Sequence, residues 1–426
     1  MMRWPALGGI LAGLLLASCA SDAPDRVSAP AAITSTTVSS PATNATIPAP
    51  AGLPEFYSTP DPLPEGKPGD VIKTEPVVST ALHGTLTRVM YHSRSLRDGD
   101  IPVTGLIAVP ATPPPAEGYP VISWAHGTTG IADKCAPSLT PDDLAGIANN
   151  LLDAGYVVVA TDYEGLGTPG RHPYIVGESE ARGTLDVVRA ARNLPDVHAS
   201  DRYLVWGHSQ GGHAAMFALH IADSWAPEVH LVGVVSGAPP SQLALFYPVL
   251  QSSPARYYLL LAAAGFNAAY GDEGAPLDPV LTPAGVDALN AVDEGCGGEV
   301  ASATADLPTT SLLKADPNSV PQWAKLLNDN DPGKFAAPAN EPLLLIHGGS
   351  DELIPVVSSS LLFDQLCKIG QVEQRWVYPG QGHAGVVAPS FADMLEWINN
   401  RFAGTPAPDS VAPVGQRDVQ VQRCPA

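Results

Sequence analysis

The pentapeptide Gly207-His208-Ser209-Gln210-Gly211 sets one serine between the apolar run "RYLVW" and a helix-like stretch beginning "QGGHAAMFALH". A serine hydroxyl is a weak nucleophile until a base takes its proton and a carboxylate orients that base. The G-x-S-x-G pattern is short and carries little weight alone. Its place between a strand and a helix is what the nucleophile elbow of a serine hydrolase requires, and the sharp turn leaves room only for glycine beside the serine. In this topology the acid and then the histidine follow, each just after a late strand. Asp351 follows "LLLIHGGS" and His383 follows "WVYPGQG". Ser209, His383 and Asp351 are therefore expected as nucleophile, base and acid, with Glu352 the nearest competitor for the acid. His208 is expected to flank the site as a pocket residue, His213 to lie on the helix behind it, and His347 to pack near a strand end.

A tetrahedral intermediate needs backbone N–H donors aimed at its oxyanion. The first expected donor is Gln210, directly after the nucleophile. The second is Thr128 in the glycine-rich loop "WAHGTTG" (124–130), or Gly127 or Thr129 after a one-residue slip. His126 then shapes that loop. In "TDYEGLGTPG" (161–170), Asp162 reads as a structural acceptor, and Tyr163 as a residue lining the pocket or lending its hydroxyl to the site.

These residues must be positioned by an alternation of strands and helices. "TRVMYHSR", "IPVTGLIAVP", "YPVISWAHG", "GYVVVATDY", "RYLVWGHS" and "HLVGVVSGAPP" read as strands. The clearest helix, "SEARGTLDVVRAARNL", puts Leu185, Val188 and Ala191 on one face and Arg182, Asp186 and Arg189 on a more polar one. The alternation predicts an α/β fold, a mostly parallel sheet with helices on both faces. It occupies residues 65–240 and resumes over 336–403 with "EPLLLIHGGSDELIP", "SSLLFDQLCKIG", "EQRWVYPG" and "SFADMLEWINNRF". Between them, 241–335 is helix-like and contains "RYYLLLAAAGFNAAYG", too continuously apolar for a surface helix. It is expected to be a helical cap inserted between two strands.

The flanks are of another kind. "MMRWPALGGILAGLLLASCA" has the basic start, apolar run and small residues of an export signal, and "LASC" resembles a lipobox ending at Cys19. Residues 1–19 are thus expected to direct export, with lipid anchoring at Cys19 or release as a secreted protein. Residues 20–64 are expected to be an Ala/Ser/Thr/Pro-rich tether, and 404–426 an irregular tail pinned back at Cys424. The remaining cysteines, Cys135, Cys296, Cys367 and Cys424, allow three pairings; sequence proximity and layout favour 135 with 296 and 367 with 424. They have no CxxC or clustered Cys/His spacing, so no metal site is expected. The chain has 426 residues, with 22 Lys and Arg against 43 Asp and Glu and a formal charge of −21. That excludes a nucleic-acid surface and gives little attraction to anionic headgroups, so contact with a membrane is expected through a lipid anchor only. A small or apolar molecule is the expected partner. The sequence sets no oligomeric state.

"HGTTG…CAPS", "VVVATDYEGLGTPG" and "GHSQGG", in that order, resemble the bacterial secretory-lipase family of α/β-hydrolases, relatives of the fungal lipase A type. The resemblance covers about residues 65–403. It implies the α/β-hydrolase fold, an inserted helical cap, hydrolysis of carboxylic esters and no cofactor, with Ser209, Asp351 and His383 at the triad positions. Fungal relatives often carry "GYSGG" where this chain has "GHSQGG", so their long acyl tunnel is not implied. The alternatives are acyl transfer to an envelope alcohol or sugar, a serine peptidase, for which no recognisable propeller precedes the core, and a non-catalytic surface binding protein.

Overall fold

A computed structural model describes residues 45–407 and 418–424. The expected signal segment 1–19, Cys19 and the first part of the expected tether lie outside the described residues. The rest of that tether is corrected, because residues 45–64 are built into the domain. Strand β1 (Ala45–Ile47) pairs antiparallel with β2 (Thr59–Asp61). Between them Phe56 and Tyr57 are buried against Met90, Ala136 and Leu166, and the Tyr57 hydroxyl lies 2.6 Å from Ser138 Oγ. The segment has too few apolar residues for a core of its own, yet two adjacent aromatics suffice to join one built elsewhere.

The main sheet has ten strands: β3 (Val71–Val77), β4 (Gly84–Arg94), β5 (Asp100–Pro110), β6 (Tyr119–Ala125), β7 (Val157–Thr161), β8 (Ala199–His208), β9 (His230–Gly237), β10 (Leu343–Gly348), β11 (Glu373–Tyr378) and β12 (Gln420–Arg423). Their order is β12-β11-β10-β9-β8-β6-β7-β5-β4-β3. The central run from β7 to β11 is parallel, and antiparallel strands extend it at both edges. Strands such as "VVVAT" (β7) and "LLLIHG" (β10) are buried along their whole length, as strands covered on both faces must be. Strand β12 lies in the expected irregular tail, and Cys424 beyond it is bonded to Cys367.

Helices α1 (Ala145–Asp153), α2 (Gly177–Arg192) and α3 (Gln210–Trp225) follow β6, β7 and β8. Side chains of α2 and α3 pack on one face of the sheet, whereas α1 packs on the other. Because β7 and β8 flank β6 on opposite sides, the loops after β6 and β8 diverge and leave a crevice at the carboxyl end of the sheet. That crevice holds Ser209.

The polar face of α2 does not face water. Glu180 and Asp186 are 0 % exposed and Arg182 only 6 %. Asp186 accepts from Ser93, Arg189 and the Trp225 indole, while Arg182 reaches Asp98 and Glu178 and lies over the Trp225 ring. Periodicity shows which side of a helix is polar; remote partners decide whether that side is buried.

Residues 238–342 leave the sheet between the adjacent parallel strands β9 and β10. They form α4 (Phe246–Leu250), α5 (Tyr257–Gly274), α6 (Pro283–Asp287), α7 (Leu289–Glu294), α8 (Gly297–Ala303), α9 (Thr309–Leu312) and α10 (Pro321–Asp329). This layer has its own apolar core, including Leu260, Leu261, Phe266, Val292, Val300 and Leu312. The continuous apolar character of α5 follows from its position, since that core takes one side of it and a cavity the other. At Gly265 a Cβ would meet Tyr174 N at 2.4 Å, so glycine lets α5 approach that backbone closely. The chain ends its core with α11 (Val356–Ile369) and α12 (Val387–Phe402). The disulfide Cys135–Cys296 ties the loop after β6 to this layer. Its sequence separation of 161 corresponds to about 5 kcal/mol in the chain-entropy account.

Candidate active site

Ser209 takes the whole turn between β8, which ends at His208, and α3, which begins at Gln210. Its backbone sits at φ 60°, ψ −123°, a region that costs a residue with a side chain about 1–3 kcal/mol. The turn is held by Ser209 N–H donating to Gly237 O at 2.8 Å and His213 N–H donating to Ser209 O at 3.0 Å. The flanking glycines are required by contact: a Cβ at Gly207 would lie 1.9 Å from Gly211 O, and one at Gly211 1.8 Å from Ala125 O. Ser209 is left half-buried and lines two cavities.

The loops after β10 and β11 bring His383 and Asp351 together. His383 Nδ1 lies 2.8 Å from Asp351 Oδ2, with the Asp351 side chain 0 % exposed. The other oxygen, Oδ1, accepts from the backbone N–H groups of Leu353 and Ile354 at 2.9 and 2.8 Å. Burial pushes the Asp351 carboxyl up, but hydrogen bonds from His347 and His383 and the backbone outweigh it and hold the group well below the usual carboxylate range. Glu352 does another job, accepting from the His383 backbone N–H at 3.0 Å. His383 Nε2 has no hydrogen-bond partner and therefore no bond to Ser209 Oγ, although both residues line the same cavity.

The loop after β6 runs beside the elbow. A Cβ at Gly127 would lie 3.6 Å from Ser209 Cβ, and Gly127, Thr128 and Thr129 share a cavity with Ser209. Thr128 Oγ1 is 2.8 Å from the Tyr174 hydroxyl, and Thr129 O accepts from Gly297 N–H at 2.8 Å. Across from the loop, the first N–H groups of α3 have no acceptor within their helix. Gln210 supplies the foremost of them, so a positive helix end faces the serine.

The two cavities differ in character. One is apolar, walled by the inserted layer through Leu243, Phe246, Leu259, Phe266 and Trp323, and has a volume of about 100 Å³. The other carries Thr128, Thr129, Lys134, Thr140 and Asp143 beside His208 and His383. An elbow serine, a carboxylate-bound histidine and an apolar chamber make an arrangement suited to acyl chemistry. The secretory lipase family model matches residues 138–410.

The chain belongs to the secretory lipase family. It is 24% identical over 408 residues to lipase A of Moesziomyces aphidis, covering 88% of this chain and 86% of that one. It is also 24% identical over 393 residues to a secreted triacylglycerol lipase of Malassezia globosa, covering 86% and 84%. The closed-state crystal structure of Candida antarctica lipase A superposes with a TM-score of 0.72 at 23% identity, covering 87% of this chain and 90% of that one. This secretory lipase therefore has the α/β-hydrolase fold and is a carboxylic ester hydrolase.

One pocket assignment is corrected. Tyr163 is 0 % exposed and lines neither cavity at Ser209. Its hydroxyl donates to His126 O at 3.1 Å, and its ring packs on His126 at 4.3 Å. The tyrosine thus steadies the loop after β6 from beneath. His126 does shape that loop: Nδ1 donates to Gly127 O at 2.7 Å, and burial lowers the imidazole to about 4. His208 does line the second cavity, its ring 4.9 Å from that of His383. Burial, with His383 next, pushes its imidazole down to about 3.

Other contributors escaped the sequence reading. His347 Nε2 lies 3.1 Å from Asp351 Oδ2 and 2.9 Å from Ile354 O, so its N–H is shared between them. Behind the elbow, Gln210 Nε2 donates to His172 Nε2 and to Glu180 Oε1, each at 2.8 Å. Glu180 Oε2 is 3.1 Å from His213 Nδ1, and His213 Nε2 donates to Asn330 O at 2.7 Å. One buried polar chain thus joins the first turn of α3 to the end of the inserted layer. Its only signal in the sequence is the cluster of polar types at the start of α2 and α3.

Proposed function

We propose that this secretory lipase cleaves esters through an acyl-enzyme on Ser209. The observation that supports the reading most is the Asp351-bound His383, its Nε2 without a hydrogen-bond partner, lining one cavity together with Ser209, which also lines the apolar one. Asp351 fixes the Nδ1–H tautomer, so Nε2 is the base. Substrate binding tightens the contact between Nε2 and Ser209 Oγ, since such bonds are often long without substrate. As Oγ attacks the carbonyl carbon, its proton passes to Nε2, and the backbone N–H groups of Gln210 and Thr128 receive the oxyanion. The imidazolium then protonates the departing alkoxide. Water, deprotonated by Nε2, attacks the acyl-enzyme and releases the acid and the serine. No metal or cofactor takes part in this reading.

The apolar cavity takes the acyl chain, and residues 241–335 act as the cap over it. Residues 1–19 direct export, with Cys19 available for a lipid anchor. Hydrolysis of p-nitrophenyl esters by the wild type and Ser209→Ala tests the proposal. A fall to background, with loss of fluorophosphonate labelling, is expected; wild-type turnover by the variant overturns it.

A further inference from the structure

Ser209 lines both cavities, but His383 lines only the second of them. In the acyl-enzyme reading His383 hands its proton to the departing alkoxide, so the alcohol has to lie on the histidine's side of the serine. The acyl chain is left with the apolar cavity. Tyr258 lines both, and so stands where the two meet.

The two are unequal in size. The acyl side has a volume of about 100 Å³ and the alcohol side about 600 Å³. An apolar cavity of about 150 Å³ holds benzene, so the smaller one has room for roughly four carbons. Its aromatic wall is not free to retreat. Phe266 and Trp323 are 1 % and 2 % exposed, their rings meet edge to face at 5.8 Å, and the Trp323 indole N–H donates to Pro276 O at 2.8 Å. A longer chain has to displace one of these rings or leave its surplus methylenes unburied, and either choice weakens binding.

The larger cavity is walled mostly by apolar side chains, Leu106, Trp124, Leu144 and Ile147 among them. Lys134 in that lining is paired with Glu299 at 2.8 Å, so its charge is already answered and does not select an anionic alcohol.

We infer that the preferred substrate joins a short acyl group, of roughly four carbons, to a longer, uncharged and largely apolar alcohol. Phe266 and Trp323 set the acyl limit. The inference rests on the acyl-enzyme reading above. Hydrolysis splits the acyl C–O bond; the alkoxide takes the His383 proton and leaves as the long alcohol, and water supplies the hydroxyl of the short acid.

The experiment compares kcat/KM for two isomeric esters, octyl butanoate and butyl octanoate, which share one formula and differ only in the side of the carbonyl that carries the long chain. Octyl butanoate should be favoured at least about tenfold, since the other isomer forces four surplus methylenes into the smaller cavity. Phe266→Ala removes a ring from that wall and should narrow the ratio at least about fivefold; if it fails to fold, Leu259→Ala provides the same comparison, and the wild-type ratio stands by itself. A wild-type ratio clearly below tenfold, or the reverse order, overturns the inference while leaving ester hydrolysis intact. Cleavage of neither isomer with fluorophosphonate labelling intact overturns the inference alone. Cleavage of neither without labelling overturns the acyl-enzyme reading and this inference together.

Discussion

His383 and Asp351, on loops after neighbouring strands, meet through a single 2.8 Å contact between Nδ1 and Oδ2. The contact occupies Nδ1 and leaves Nε2 for the proposed proton transfer with Ser209. Asp351→Asn keeps the shape but presents an amide that stabilises the wrong tautomer and offers no charge to the imidazolium. The expected result is a fall in kcat of about 10³–10⁴-fold with the melting temperature little changed. Glu352→Gln retains an oxygen for the His383 backbone N–H, so its kcat should stay within about tenfold of wild type. Steady-state kinetics on one p-nitrophenyl ester checks both, and an equal loss in the two variants argues against Asp351 as the orienting acid.

Gly211→Ala tests the crowding at the elbow. The added methyl would stand 1.8 Å from Ala125 O, and backbone on both sides leaves it nowhere to go. Moving β6 or α3 disturbs the junction that presents Ser209, so a cost of at least about 3 kcal/mol is expected, with activity lost. Gly146, in α1, has nothing within 4 Å of its would-be Cβ. Gly146→Ala should hold or raise stability by up to about 1 kcal/mol. Denaturant melts of the two variants should move in opposite directions.

The Gln210 side chain predicts a separation of kcat from KM. It is 1 % exposed, and its amide N–H₂ donates to two acceptors that no water reaches easily. Gln210→Leu leaves His172 Nε2 without its donor and Glu180 Oε1 with only the Ile175 N–H, at about 1–3 kcal/mol. The first turn of α3 loosens, and with it the Gln210 N–H proposed to receive the oxyanion. We expect kcat to drop about tenfold or more while KM stays within about twofold. Gln210→Glu sets a second carboxylate against Glu180 and should destabilise the protein further. Unchanged kcat in both variants would remove the side chain from any positioning role.

Local pattern was enough to read β4 to β11, the central ones because parallel strands covered on both faces must be apolar along their length, as "VVVAT" and "LLLIHG" are; the edge strands β3 and β12 were not read. Chain order then set Asp351 and His383 at the ends of successive late strands, and the structure puts their side chains in contact. What stayed hidden depends on distant partners. Asp186 could be placed on the polar face of its helix, but its burial could not be read because its companions Ser93 and Trp225 lie far along the chain. Phe56 and Tyr57 looked like tether because the core they join is formed by Met90 and Leu166. Tyr163 stood beside the site in sequence, yet its hydroxyl was already taken by His126 O. His347 could be placed at a strand end, but not beside Asp351, until the turn after β10 was known.

Glu373 gives the chain a stability that depends on pH, with a sign that can be worked out. The side chain is buried on β11, with Oε1 3.5 Å from Cys367 Sγ and no partner for Oε2. Burial, reinforced by the negative charge of Asp364, raises its carboxyl from 4.5 to about 9. Between those values the folded protein keeps a proton that the unfolded chain has released. The contribution is therefore fully present below about pH 4.5 and is lost as pH rises towards 9. Glu373→Gln is neutral throughout and removes that slope. Its melting temperature should match the wild type near pH 5 and exceed it by several degrees near pH 9, both disulfides being kept oxidised. Curves that stay parallel across that range would mean that Glu373 ionises in the folded protein much as it does in the unfolded chain.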